Sequence, residues 1–182
     1  TVALSGSASD LNTIFSETFA GAGSHTGAVT VTSAADYTLA QLKKINAGTT
    51  GTITLSDRTI ALSGDATDLA VALAGNINHN GAVTVTNASD YTITELKTIN
   101  SGTSGTITLQ DRTVALSGDA TDLSDALAGN INHNGAVTVS NASDYTAAEL
   151  AVIAGGTAGE ITLSDRTVAL SGSASDLNTI FS

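Results

Sequence analysis

The chain has no cysteine, proline, methionine or tryptophan, and only three tyrosines and three phenylalanines in 182 residues. Without cysteine no disulfide staples it, which suits a cytosolic protein or a bacterial secreted one equally. With aromatics at 3 %, no large aromatic core can form, so Val, Ile, Leu and Ala must do the packing. Without methionine Thr1 is not a translation start, and the chain is expected to be processed or an excerpt of something longer. Six basic residues face 17 acidic ones, a net charge of −11. Nothing here can neutralise a run of phosphates, which argues against nucleic acid as a partner and against an anionic membrane surface. No apolar run is long enough to cross a bilayer, so no membrane insertion is expected.

What is present is repetition, and it takes precedence over local readings. Ile60–Thr113 and Val114–Thr167 are near-identical and follow each other without a gap, so each is one full period. Val2–Thr59 is a further copy carrying four extra residues, and Val168 begins a partial unit that reaches Ser182. Thr1–Ser16 and Thr167–Ser182 match without a substitution. They share a Ser-Ala-Ser version that the intervening units lack, so the unit period alone does not explain them. A super-repeat of three units, cut with a short overlap, does; the residue after Ser182 is then expected to be the equivalent of Glu17. An engineered duplication is the alternative.

Each unit carries two helix signals and about three short strand signals. In "GAVTVT" apolar residues alternate with Thr, placing Val83 and Val85 inward and Thr84 and Thr86 outward. Thr92 with Glu95 forms a capping box, repeated at Thr38 with Gln41 and Thr146 with Glu149. Ile93, Leu96 and Ile99 follow at helical spacing, and Gly102 stands where a helix C-cap belongs. "GTITL" and "VALSG" are further strands, with "SDRT" a corner where the alternation loses phase. In "DATDLSDALAG" Asp119 caps a second helix, Leu123 and Leu127 form its apolar stripe, and Gly129 ends it. Helices of two to three turns and strands of three to five residues are weak alone and gain stability by stacking on their copies. The reading is an α/β repeat solenoid, residues 1–182 forming one array of short stacked parallel strands with short helices along one face. A closed α/β domain is the alternative, but it does not explain the near-identity of the units. Whether one unit makes one coil or two stays open, because its two halves resemble each other.

The stretches "VTVTNASDYTITELKTINSGTSGTITL" and "VALSGDATDLAVAL" resemble tandem segments of large secreted surface proteins of cyanobacteria and proteobacteria. The resemblance covers essentially the whole chain and is one of composition and rhythm. It implies an extracellular or cell-surface repeat region of an adhesin, matrix or fibre protein, with no catalytic residues and no cofactor. Calcium-binding nonapeptide repeats accompany such proteins, but no "GGxGxD" occurs here.

The chemistry-bearing residues fall in repeated columns. His25, His79 and His133 are either a metal-binding column or exposed turn residues copied with the repeat; the second is the expectation. Asp68 and Asp122, with Asp10 and Asp176 as counterparts, are the calcium candidates, although a place in a first helical turn already accounts for them. Asp57–Arg58, Asp111–Arg112 and Asp165–Arg166 read as a structural corner in which stacked opposite charges neutralise each other. The Thr-x-Thr pairs Thr30/Thr32, Thr52/Thr54, Thr84/Thr86 and Thr106/Thr108 suggest an ice-binding or glycan-binding face, but Ser140 and Glu160 break both pairs in the next unit. Asn87 and Asn141 open N-glycosylation sequons. Nothing pairs a nucleophile with a base at an irregular position, so an enzyme is not expected.

The one irregular place is the four-residue expansion in "NTIFSETFAGAGSHTG". It is expected to lengthen the first helix by about a turn. Ile14, Phe15 and Phe19, with Phe181 as the copy of Phe15, hold every Phe in the chain. They read as a protruding apolar helix that docks on a neighbour, or as local core filling. The functional expectation is a structural segment of an extracellular filament, sheath or giant surface protein, its partner itself, head to tail or in a continuing array. An adhesin or ice-binding module that recognises surface glycans or ice through its Thr faces is the alternative.

Overall fold

A computed structural model describes residues 2–17, 25–32, 36–86, 90–129, 131–140 and 144–181. The architecture is α/β. Among the described residues are seven helices, α1 (Ala8–Glu17), α2 (Leu39–Gly48), α3 (Ala66–Leu73), α4 (Ile93–Gly102), α5 (Ala120–Leu127), α6 (Ala147–Gly156) and α7 (Ala174–Phe181). The described residues also hold nine three-residue strands in three parallel sheets. These are β1 (Leu4–Gly6) with β2 (Val29–Val31) and β3 (Ile53–Leu55), then β4 (Leu62–Gly64) with β5 (Val83–Val85) and β6 (Ile107–Leu109), then β7 (Leu116–Gly118) with β8 (Val137–Val139) and β9 (Ile161–Leu163).

The local signals act where the sequence puts them. Thr38, Thr92 and Thr146 each accept from the backbone N–H three residues on, and Gln41, Glu95 and Glu149 reach back to complete three capping boxes. Asp65 and Asp119 cap the alternate helices. Val83, Val85, Leu96 and Ile99 are wholly buried. Burying such side chains contributes about 1.5–3 kcal/mol each, which is how strands this short persist. Helix α1 runs ten residues against eight in α3 and α5, in the direction expected of the expansion. Most of the expansion itself, Phe19 included, lies outside the described residues, as do both sequons.

Helices α2 to α7 begin at residues 39, 66, 93, 120, 147 and 174, a constant step of half a repeat unit. Each unit therefore contains two helix-bearing segments, or coils, and each helix packs on the next. The strands do not form one uninterrupted ladder. Ile107 bridges to Ile131, whereas Leu116 pairs with Val137, a shorter step along the chain. The difference between the two steps is absorbed at the corner around Asp111. One coil thus offers an Ile-Thr-Leu strand and a Leu-Ser-Gly strand to the same following segment, and the isolated bridges Ile53 to Ile77 and Ile107 to Ile131 extend the sheets of β3 and β6 by one residue each.

Gly102 ends α4, but it is not a left-handed cap. The glycines with positive φ among the described residues are Gly75 and Gly129, after the shorter helices. Gly102 is glycine because α3 is too close: a Cβ there would stand 2.2 Å from the Leu73 carbonyl oxygen. Gly155, also helical, has nothing within 4 Å of that position. Alanine normally stabilises an exposed helical glycine site by up to about 1 kcal/mol. We therefore expect Gly155→Ala to raise the urea midpoint. Gly102→Ala should lower it, at a cost of about 1–3 kcal/mol for forcing two coils apart.

Candidate functional site at the coil interfaces

The polar side chains that recur from unit to unit converge on the contacts between successive coils. The histidines are the clearest case, and they are not exposed turn residues. His79 is 2 % and His133 1 % accessible. His79 Nε2 lies 2.7 Å from the Ile60 carbonyl oxygen and Nδ1 3.0 Å from Thr103 Oγ1. His133 repeats this with Val114 and Thr157 at the same distances. A carbonyl only accepts, so Nε2 carries the proton and donates to it. In the neutral ring Nδ1 then accepts from the threonine hydroxyl. That hydroxyl oxygen in turn accepts from the Gly105 N–H, or from the Gly159 N–H one unit on. Each imidazole therefore clips three consecutive coils: the one before, its own, and the one after. His25 occupies the same place, with Thr49 Oγ1 donating to its carbonyl.

Burial lowers the pKa of His79 and His133, partly opposed by the hydrogen bond to Ile60 or Val114, which favours the charged ring. Among the described residues no group of three or more His, Cys, Asp or Glu side chains is placed to hold a metal ion.

Asp68 and Asp122 are not brought together. Asp68 pairs with Lys43 of the preceding helix. Asp122 lies 2.5 Å and Asp125 3.0 Å from Lys97 Nζ. These ion pairs raise the Lys97 pKa, the hydrogen bond to Asp122 contributing most. Beside them Asn46 donates to the carbonyls of Val71, Ala72 and Ala74, and Asn100 to those of Asp125 and Ala128. Each Asn thus satisfies the open carbonyl end of the next helix. The reverse junctions are tied by Thr67 to Glu95 and Thr121 to Glu149. Burial pushes both glutamates up, but the threonine hydrogen bonds outweigh it and hold them below the ordinary value. Between α6 and α7 the Lys and Asn positions are Ala151 and Ala154, which have neither group to offer.

The Asp-Arg corners are structural, but not by mutual neutralisation. Asp57 accepts from the Thr59 N–H at 2.8 Å and from its hydroxyl at 2.7 Å, an Asx turn that holds the carboxyl below its ordinary range. Arg58 Nε donates to the Asn78 carbonyl of the following coil, 2.8 Å away, and Arg112 repeats this on Asn132. The Tyr91 hydroxyl donates to the Asp111 carbonyl, and Tyr145 to that of Asp165. Burial, with the Asp111 charge, pushes Tyr91 up to about 12.

The proposed Thr faces are narrower than their sequence suggested. The register pairs Ser63 with Thr84 and Thr84 with Thr108, giving one outward hydroxyl column per sheet. Continuing that register sets Thr86 across from Gln110 and Thr106 across from Ala82, so the Thr-x-Thr pairs overlap in one column and not in two.

The phenylalanines divide. Phe15 is 1 % accessible, its ring lying on Gly48, where a Cβ would meet Phe15 Cδ1 at 2.3 Å. It fills the core, the second of the two roles read from the sequence, and is not exposed for docking. Ile14 is half-buried. Phe181, in the identical sequence of α7, is 74 % accessible. Sequence reasoning missed the histidine clip. The available signal was a threonine at a fixed distance after each histidine: Thr49 after His25, Thr103 after His79 and Thr157 after His133.

The clip has a pH signature. An unfolded histidine binds a proton near pH 6.5, while the folded sites resist it. Their stabilising contribution is therefore complete above about pH 6.5 and is lost as pH falls from there toward the lowered folded pKa. The urea midpoint should drop between about pH 7 and pH 5, ahead of the carboxylate-driven loss below about pH 4.5. In a His79→Gln/His133→Gln chain the first drop should disappear.

Comparison of the chain with protein-family models, with curated proteins and with solved structures found no match.

Proposed function

We propose that this chain is a repeat solenoid segment with a structural role, built to be stacked on further coils of its own kind in an extracellular bacterial filament, sheath or surface protein. The observation that carries the reading is that side chains recurring from unit to unit, His79 and His133, Asn46 and Asn100, Arg58 and Arg112, all bond to an adjacent coil. Ile107 and Leu109 are buried under the following coil, while the equivalent Ile161 and Leu163 are half-exposed. Val168, Leu170, Leu177 and Ile180 are half-exposed beside them, and Phe181 stands open. Ile161, Leu163, Ile180 and Phe181 line one apolar hollow, and exposed apolar surface of this kind marks interaction sites. The coil type that covers its counterparts is known from the chain's own interior. A further coil, in a continuing chain or in a second copy, fits it.

The recurring polar groups support the same role. His79, Asn100, Arg58 and Thr121 each make their distinctive bonds to a neighbouring coil rather than around a shared pocket. The bacterial and extracellular setting rests on the sequence resemblance. A binding role for the Thr faces is the competing reading, and the single-column register weighs against a flat two-column array.

Negative-stain microscopy and light scattering on the purified chain test the stacking. The expectation is particles that lengthen with concentration while keeping one width. Only single-chain particles up to the solubility limit would contradict it. Thermal hysteresis or glycan-array binding by such single chains would favour the competing reading.

A further inference from the structure

Glycine is obligatory in the turn that follows each histidine clip. A Cβ on Gly81 would stand 2.4 Å from the Ile60 carbonyl oxygen, and one on Gly135 2.4 Å from that of Val114. The residue before this glycine is Asn80 or Asn134, whereas the first unit has Thr26 before Gly27. Packing fixes the glycine, and the asparagine before it makes an Asn-Gly pair, in which no side chain screens the next backbone nitrogen from the asparagine amide.

Both asparagines are exposed. The Asn80 N–H is held by the Arg58 carbonyl at 2.8 Å, and that of Asn134 by Arg112 at the same distance. Among the described residues no hydrogen bond holds either side-chain amide, or the N–H of Gly81 or Gly135. The amide carbon is therefore free to swing toward the glycine nitrogen. Neighbouring asparagines differ. The Asn76 and Asn78 carbonyls accept from the Ile53 N–H and from Arg58 Nε, and the residues after them are the bulky Ile77 and His79.

We propose that Asn80 and Asn134 are sites of spontaneous deamidation, a one-way modification that lengthens the turn and releases the clip beside it. The Gly81 nitrogen attacks the Asn80 side-chain carbonyl carbon. A carbon–nitrogen bond forms, the bond from that carbon to Nδ2 breaks, and ammonia leaves with the proton of the attacking nitrogen. Water then opens the cyclic imide at either carbonyl. One opening leaves aspartate with a normal backbone. The other leaves isoaspartate, whose chain runs through the former side chain and carries one more backbone carbon. The inference is independent of the stacking role.

The place of the site makes the extra carbon disruptive. Asn80 stands between His79 and Gly81, and both meet one hydroxyl: Thr103 Oγ1 lies 3.0 Å from His79 Nδ1 and 3.3 Å from the Gly81 carbonyl oxygen. Thr157 repeats this with His133 and Gly135, at 3.0 Å and 3.2 Å. A longer backbone between the two changes their separation, so the hydroxyl loses one of them. The next coil has no slack to follow, since a Cβ on Gly105 would stand 2.0 Å from the Gly81 oxygen and 2.8 Å from that of Asn80. Aspartate keeps the spacing, so isoaspartate is the product that opens the clip.

Ageing the folded full chain at mildly alkaline pH, followed by peptide mapping with electron-transfer mass spectrometry, tests this. The expected result is ammonia release with isoaspartate at positions 80 and 134, forming tenfold or more faster than at Asn78 and Asn132. Chains carrying isoaspartate should unfold at lower urea and exchange the 103–105 amides faster, while Asn80→Asp/Asn134→Asp keeps the wild-type urea midpoint. Asn80→Thr/Asn134→Thr, which copies the Thr26 turn, should fold and release no ammonia from these turns. Amides that persist at both sites while the urea-unfolded chain loses them would overturn the proposal, as would equal loss at Asn78 and Asn132. An isoaspartyl chain with an unchanged urea midpoint would overturn the release of the clip.

Discussion

Strands from successive helix-bearing segments of this protein pair side by side. Parallel strands stack at about 4.8 Å, whereas ordinary helix pairs lie about 8–10 Å apart. A coil that contains both a strand and a helix must reconcile the two. Here the helices give way. Gly48, Gly102 and Gly156 lie where a side chain or the backbone of the preceding helix leaves no room for a Cβ. Ala66, Ala72, Ala120 and Ala126 are wholly buried. The turns are under the same constraint: a Cβ on Gly105 would stand 2.0 Å from the Gly81 oxygen, and one on Gly51 2.0 Å from the Gly27 oxygen. The shortage of aromatics follows directly. The Phe15 ring is accommodated where Gly48 faces it.

That spacing also organises the polar residues. Backbone groups of neighbouring coils come within reach of every long or branched polar side chain at the coil edge. His79 uses two of them at once, Asn100 closes a helix end, and Arg58 fastens a corner. Since buried polar groups must be hydrogen-bonded, each such residue fixes the offset of its coil relative to the next. A copied residue fixes it identically in every unit, and the array has one register. The tie positions at α6 are the exception, Ala151 and Ala154 standing in place of Lys and Asn.

Local features are legible in the sequence and contacts between coils are not. Capping boxes at Thr92 and Thr146, the inward Val83 and Val85, and the count of two helices and three strands per unit all depend on near neighbours in the chain. The fates of His79, Phe15 and Gly102 depend on groups in adjacent coils: a local reading misplaces His79, leaves Phe15 between core and docking, and puts Gly102 at a helix end without its reason. A histidine between asparagines looks like a solvated turn until the carbonyl of Ile60 is placed above it. Phe15 looks equally fit for core or docking until Gly48 is placed beneath it. Even the corner at Asp111, recognised from its loss of phase, acts by shifting the pairing offset between strands, which a single unit read alone does not disclose.

The central claim is that coils pair in chain order, each unlike its neighbour, and that identical strands do not pair with each other. Cross-strand nuclear Overhauser contacts on isotope-labelled protein read this directly. The account predicts backbone contacts from Ser63 to Thr84 and from Thr84 to Thr108, repeated at Ser117, Thr138 and Thr162. Contacts joining Thr84 to Thr138, strand to identical strand, would contradict it.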